Sequence, residues 1–421
     1  MKFGIFYELQ LPKPWGVASE HRLVKESLDQ ITLADKLGFD YIWEVEHHFL
    51  EEYSHSSAPE VFLSAVSQIT SNIRLGHGIV QLPGEVNHPA RVAERIAMLD
   101  LVSDGRVDFG TGESSSEIEL GGFNVNRDAK RQQWEQSLQI IADMFVQEPF
   151  SGVKTDFFSI PPRNVIPKPI QKPHPPLWVA CSRRETIHLA ATKGIGALSF
   201  AFVEPEQAKE FVDDYYETIF SSNCKPIGKS INANVACVLP LMCHEDEGEA
   251  IKRGIDGAHF FGYSLAYYYV FGSHRPGKSD IYADFLKNRS KFGFDKDVAS
   301  MKVERLGANL VNNGLSSLRG AIGTPDQIRD LIKRYETAGI DQLIFVSQCG
   351  NNQHDHIIES LNLFAKEVMP EFKTDRRKET EARTQKVRLL NDSLNANTFQ
   401  NKENEFSSYD SNYSVSAVPK A

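Results

Sequence analysis

No stretch of this 421-residue sequence is apolar for the length that a bilayer-spanning helix requires. The apolar run at its start, in MKFGIFYELQLPKPWG, is too short for a secretory signal and is soon interrupted by Glu8. It reads instead as a first strand. Cysteine is sparse: Cys181, Cys224, Cys237, Cys243 and Cys349 are scattered, odd in number and form no C-x-x-C pair. This argues against a disulfide framework and structural zinc, and it predicts a protein of the reducing cytoplasm. Positive charge is in deficit, with 46 Lys and Arg against 56 Asp and Glu, a net −10. Nucleic acid and anionic membrane are therefore poor partners. There is no H-E-x-x-H and no G-x-G-x-x-G. The default expectation is an enzyme acting on a small molecule.

What the chain does have is alternation. KFGIFYE (2–8) precedes a helical stretch at about 21–37, and YIWEVEH (41–47) one at about 58–70. IRLGHGIV (73–80) precedes a helix from Pro89 to Ser103, whose Val92, Ile96, Leu99 and Val102 share a face. VDFGTG (107–112) precedes a helix at about 128–146, LWVAC (177–181) one at about 184–193, and ALSFAF (197–202) one at about 205–221. NVACVLPLM (234–242) is followed by a helix at about 245–260. A further helix at 325–337 leads to DQLIFVSQ (341–348) and a last helix at 354–368.

Eight apolar strands, each answered by a helix, predict an α/β fold of the (β/α)8, TIM-barrel class over residues 1–373. Two segments break the rhythm: a proline-rich one at about 149–176, too rigid and donor-poor for regular structure, and a long irregular one at about 262–320. Residues 374–421 are polar and without periodicity, and read as a disordered tail.

In such a barrel the chemistry lies at the C-terminal ends of the strands. The second strand ends in Glu46-His47-His48, with His55 a short loop away. Adjacent histidines on a strand face opposite ways, so they are poorly placed to share one metal ion, and no metal site is expected. Proton transfer suits them better. A single histidine is still more often structural than catalytic, and alternation alone does not say which one faces the mouth. GTGESSSEIELGG (110–122) offers close backbone approach and hydroxyls, or equally an ordinary surface loop. Ser182, Arg183, Arg184 and Thr186 stand where a helix begins, as in a phosphate cradle or a plain capped helix. GAHFFGYSLAYYYVFGSHRPG (257–277) suits a pocket lining, a core, an oligomer face or a lid.

Taken together, MKFGIF, LGFDYIWEVEHHF, IRLGHGIVQLP and NHPARVAERIAMLDLVSDGRVDFGTG resemble the bacterial luciferase-like flavin-dependent monooxygenases, with SRRETIHLAATKGIG matching more loosely. The likeness spans about residues 1–200 and, by pattern, continues to about 370. It implies a barrel that binds reduced FMN at its open end, activates O₂ as co-substrate and oxidises a small organic substrate through a C4a-peroxyflavin. It also implies a separate NAD(P)H:flavin reductase and a homodimer. His47 becomes the acid–base residue, supported by Glu46 and His48. A non-proline cis peptide under the flavin falls at Gly78-Ile79, beside His77. Arg131 matches the phosphate-side arginine, and Ser182, Arg183 and Thr186 the phosphate-binding turn, with Gly112 and Ser114 on the cofactor side.

One departure stands out. Where the light-emitting luciferase α subunit has a reactive cysteine and an arginine, this chain has Gly112 and Glu113. Glu113 would repel phosphate unless it points elsewhere, and Arg183 and Arg184 are placed to compensate. The rival readings are a deazaflavin-dependent dehydrogenase on the same barrel, a non-catalytic flavin-binding relative and a metal-dependent barrel hydrolase. EHHF favours FMN.

Overall fold

A computed structural model describes residues 1–199, 205–292, 310–311, 314–315, 319–374 and 378–405. Eight parallel strands pair in chain order and close on themselves. They are β1 (Lys2–Tyr7), β2 (Tyr41–Glu44), β3 (Arg74–His77), β4 (Val107–Gly112), β5 (Leu177–Cys181), β6 (Gly196–Ser199), β7 (Val235–Cys243) and β8 (Gln342–Val346). The ring closes where β1 meets β8, Lys2 opposite Gln342 through Phe6 opposite Val346. Closure removes the two open edges that a flat sheet of these strands would expose.

The helices flank the ring. They are α1 (Ser19–Leu37), α2 (Pro59–Ile69), α3 (Pro89–Val102), α4 (Glu117–Gly122), α5 (Lys130–Val146), α6 (Arg184–Thr192) and α7 (Pro205–Ile219). The series continues with α8 (Glu247–Ala266), α9 (Ile281–Asn288), α10 (Pro325–Thr337), α11 (His354–Glu367), α12 (Met369–Thr374) and α13 (Lys378–Glu405). Because strand side chains alternate, two cores form. Ile5, Ile42, Leu75, Val107 and Leu177 pack outward against the helices. Phe6, Trp43, Trp178, Leu198, Val238 and Ile344 fill the inside of the ring. There Trp43 and Trp178 meet edge to face at 5.3 Å, and in such a barrel a ligand is placed at the C-terminal ends of the strands.

The structure differs from the sequence reading in four places. The proline-rich segment holds a short antiparallel pair, Val153–Lys154 with Ser159–Ile160, because its prolines lie outside those four residues. α8 runs on to Ala266 and ends in a π-turn, Tyr267–Phe271, before α9. Phe260, Phe261 and Tyr263 of that stretch are buried against the inner core, so the aromatic segment is helical, not irregular. Residues 293–309 of the same stretch lie outside the described ones. A short helix, α4, stands inside the Gly/Ser-rich segment.

The fourth difference concerns the tail, which begins with α13. Arg383 stacks on Tyr216 at 3.7 Å, and the Asn391 amide bonds both the N–H and the C=O of Ile231. These are polar and cation–π anchors, to which apolar periodicity is blind. Residues 406–421 are outside the described set.

Candidate active site

The loop after β2 doubles back along the end of β1. The His47 N–H donates to Ser56 O at 2.8 Å, and the Ser56 hydroxyl to Val45 O at 2.7 Å. The Ser54 hydroxyl donates to Glu8 O at 2.8 Å. These bonds hold the His47 ring next to Glu8. From the other side comes α4, started by Ser116, whose side chain accepts the Ile118 N–H. Its Glu119 is fully buried and lies 2.9 Å from His47 Nδ1. Glu119 also accepts bonds from the Gln81 amide (2.7 Å), the His48 N–H (3.0 Å) and the Ser114 hydroxyl (2.7 Å). On the far side of the ring, His47 Nε2 stands 3.6 Å from Glu8 Oε2. The Tyr53 hydroxyl donates to the other oxygen of Glu8 at 2.9 Å.

This packing sets the charges. Burial opposes an imidazolium at His47, but Glu119, Glu8 and Glu46 together outweigh it and raise the His47 pKa to about 9. Burial pushes Glu8 up to about 7, even though His47 and Tyr53 pull the other way. Glu119 is buried too, yet His47 and its hydrogen-bond donors hold it below the usual carboxylate range. At neutral pH the centre of the site is thus an imidazolium on a carboxylate, with a second, readily protonated carboxyl beside it.

Glu46 and His48 complete the network. Glu46 accepts bonds from the Gln81 N–H (2.7 Å) and Asn87 (2.8 Å), and its Oε1 lies 3.2 Å from His48 Nε2. The two adjacent histidines therefore face different carboxylates, while His55 turns away to Glu20. Among the described residues, no group of three or more His, Cys, Asp or Glu is arranged to hold a metal. The H-x-H formed by His354 and His356 sits on the first turn of α11, where residues two apart do not share a face.

Gly112 and Ile79 lie at the mouth. A Cβ on Gly112 would come within 2.6 Å of Ile79 Cδ1, so the Ile79 side chain lies directly on the bare end of β4. The expected cis bond at Gly78-Ile79 is absent: among the described residues every cis bond precedes a proline. The reason is local pairing, for the Gly78 N–H donates to Glu44 O and Ile79 O accepts from Glu46 N. Neighbouring backbone thereby holds the segment in place. His77 is not brought to the mouth. It faces the helix layer against Phe109, and burial depresses its pKa to about 4.

The phosphate-side candidates form a second group on the rim. Arg131 reaches Glu113 at 2.7 Å, and Lys130 reaches it at 3.4 Å. Glu113 is thus neutralised by two cations instead of standing free to repel an anion. Arg131 lies near enough to the end of β5 to oppose, in part, the burial that pushes the Cys181 thiol up. Ser182 and Arg183 are exposed just before α6, and Arg183 occupies its N-cap without a capping side chain. The Thr186 N–H already donates to Arg183 O at 3.1 Å, so what the first turn can offer an anion is the Thr186 hydroxyl and the N–H groups that precede it. Arg184 turns away to Glu210 at 2.7 Å.

Three residues escaped the sequence reading. Glu119 depends on the unforeseen α4, and Glu8 registered only as a charge in an apolar run. Tyr269 is set by the π-turn, a feature common at functional sites. Burial first, then Glu119 and Glu8, push its hydroxyl far above the usual range, which places it over the same cluster. One further motif, GSHRPGKS (272–279), has P-loop spacing. Its context is wrong for phosphate, since it joins the π-turn to α9, and its Gly277 N–H is already taken by the Glu51 carboxylate at 2.7 Å.

Known proteins share this sequence pattern and fold. An uncharacterised protein, y4wF of Sinorhizobium fredii, is 35% identical over 197 residues, 46% of this chain and 54% of its own. The chain therefore spans about half the length of that relative. The oxygenase component of the flavin-dependent trigonelline monooxygenase of Acinetobacter baylyi is 24% identical over 389 residues, 90% of this chain and 99% of its own. Among solved structures, the monooxygenase RslO1 of Streptomyces bottropensis superposes with a TM-score of 0.68 at 24% identity, covering 88% of this chain and all of that one.

The same barrel recurs in the oxygenating constituent of 3,6-diketocamphane monooxygenase of Pseudomonas putida, solved with FMN (TM-score 0.65, 18% identity, 88% and 98% covered). It recurs too in an F420-dependent secondary alcohol dehydrogenase (TM-score 0.64, 15% identity, 87% and 98% covered). The luciferase-like monooxygenase profile matches residues 1–342. With the profile over most of its length and the barrel beneath it, the chain belongs to the luciferase-like monooxygenase family, a family of oxidoreductases.

Proposed function

We propose that this protein is an FMN-dependent monooxygenase that uses reduced flavin and O₂ to oxidise a small organic substrate. The observation that carries the reading is His47, held as an imidazolium by Glu119 beside a bare strand end at the barrel mouth. The residues present fit the cofactor. Gly112 and the Ile79 side chain packed on it give the mouth a flat apolar edge against which a planar ring can lie, while Ser182, Arg183, Thr186 and the start of α6 offer hydroxyl, guanidinium and N–H donors to a phosphate. Arg131 stands close by, although its charge is shared with Glu113. Arg184 would join only by leaving Glu210.

Reduced FMN, when bound, supplies the electrons that activate O₂. The protein's own part is to position, to exclude water and to move protons. Glu119 fixes the His47 ring through Nδ1, which leaves Nε2, 3.6 Å from Glu8, as the ring atom able to trade a proton. Glu46 ties His48, Asn87 and the Gln81 backbone into one frame. Tyr53, Phe261, Tyr268 and Tyr269 roof the site from the loop after β2, α8 and the π-turn, keeping solvent out.

A separate NAD(P)H:flavin reductase is the expected electron source, in keeping with the description of the Acinetobacter relative as an oxygenase component. A homodimer is supported by the exposed apolar side chains Val61 and Ile69 of α2 and Met98, Leu101 and Val102 of α3. No helix among the described residues is long and apolar enough to cross a membrane.

The test is an anaerobic titration with reduced FMN, followed by oxygen-uptake assays with chemically reduced FMN and a panel of small organic substrates. Saturable binding near one flavin per chain, and oxygen uptake coupled to product, are expected. Substrate oxidation with a deazaflavin and no oxygen uptake would favour the dehydrogenase reading, and stoichiometric bound metal the hydrolase one.

A further inference from the structure

Glu8 is the one titratable group of the site for which the reading above has no use. It is 1% exposed, and among the described residues its Oε2 accepts no hydrogen bond. That oxygen nevertheless faces His47 Nε2 at 3.6 Å, the ring atom left over once Glu119 has taken Nδ1. Leaving a carboxylate oxygen buried and unsolvated is costly, so a purely structural role would be served better by a neutral side chain. A glutamine would accept the Tyr53 hydroxyl equally well.

The groups around Glu8 come from every neighbouring element. They are His47 and Tyr53 from the loop after β2, Glu119 from α4, Glu44 from β2 and Tyr269 from the π-turn. His47 is the one cation among them. The Glu119 carboxylate makes it harder for Glu8 to be ionised unless His47 is charged.

We propose that Glu8 is the proton store of His47, exchanging a proton with its Nε2 each time His47 gives one up at the barrel mouth. When the Nε2–H bond of His47 breaks toward the reacting group, the Glu8 O–H bond breaks and a new Nε2–H bond forms. Glu8 is left as the carboxylate and regains its proton from solvent when the site opens. Glu8 acts through His47 and touches no reacting atom, so it is a positioning residue. The proposal rests on the reading of His47 as the acid–base group beside the flavin.

The test has two arms. In the first, the side-chain nitrogens of histidine are labelled and titrated by NMR in the full chain without cofactor, with His47→Gln assigning the signal. Glu8→Gln should lower the His47 midpoint by about one pH unit, tenfold in proton affinity. Glu8→Asp, which keeps the charge but lengthens the gap, should lower it less and stands in if Glu8→Gln does not fold. In the second arm, flavin-dependent turnover is followed against pH. Glu8→Gln should keep reduced-FMN binding, lose about tenfold in turnover and shift the alkaline limb down with the NMR midpoint. An unmoved His47 midpoint in folded Glu8→Gln overturns the proposal. A moved midpoint in a protein that turns over no flavin substrate supports the pairing and overturns the flavin reading instead.

Discussion

His47 holds its proton through neutral pH because carboxylates face both of its ring nitrogens, and that makes the site sensitive to the removal of either. Glu119→Gln keeps a hydrogen-bonding side chain but removes the charge that does most to raise the His47 pKa. The alkaline limit of activity should fall toward the ordinary histidine range, measured as the pH profile of turnover at saturating flavin. His47→Ala should still bind reduced FMN while product formation drops on the order of a hundredfold or more. Unchanged coupled turnover would remove His47 from the mechanism.

The same shifts link stability to pH. His47 has a folded pKa near 9, above its unfolded value, so its contribution is complete below about pH 6.5 and is lost as pH rises through 9. Glu8, raised to about 7, works in the same direction: the unfolded chain gives up that proton first, and stability falls between about pH 4.5 and 7. The melting temperature should therefore decline from pH 5 to pH 9, and His47→Gln should flatten the upper part of that decline in scanning calorimetry.

At the scale of elements, two acidic residues after β2 pin the roof. Glu52 is fully buried and accepts the N–H groups of Lys13 (2.9 Å), Ile281 (2.6 Å) and Tyr282 (3.1 Å). Glu51 takes the Gly277 N–H and the Lys13 ammonium, with His274 at 3.1 Å. Glu52→Ala leaves buried donors without acceptors, at a cost of about 1–3 kcal/mol. Amide exchange at Ile281 and Tyr282 should speed up by about tenfold or more while β1–β8 stay protected. On the opposite flank, Asn391→Ala removes both bonds to Ile231 and should lower the urea midpoint without moving the His47 titration.

These elements also show where sequence reading reaches and stops. The eight strands were legible because buried parallel strands are apolar throughout; the histidine pair stood out at a strand end, but alternation could not choose between the two and only the family resemblance pointed to His47. Glu119 was hidden, since its place depends on a six-residue helix in a stretch of glycine and serine. α13 was hidden because its anchors, Arg383 and Asn391, are polar and look like solvent-facing residues. His77 misled for a plainer reason: alternation turns it outward, and only the local path of the chain at Gly78 and Ile79 brings backbone, not imidazole, to the mouth.

For the molecule as a whole, the unpartnered apolar side chains of α2 and α3 predict self-association. Sedimentation should give a dimer, and Val61→Glu combined with Met98→Glu should give a monomer that retains the barrel's circular-dichroism spectrum. A wild-type monomer at micromolar concentration would remove the dimer from the picture. The closing seam has a consequence of another kind. Gln10 of the segment after β1 exchanges hydrogen bonds with Gln348 and Gly350 after β8, across separations of 338 and 340 residues. During synthesis, the strand that leads into Glu8 must wait without its β8 neighbour until nearly the whole barrel has left the ribosome. Acid–base capability would therefore be acquired at the end of translation, and an incomplete chain would be inert toward flavin as well as unfinished in shape.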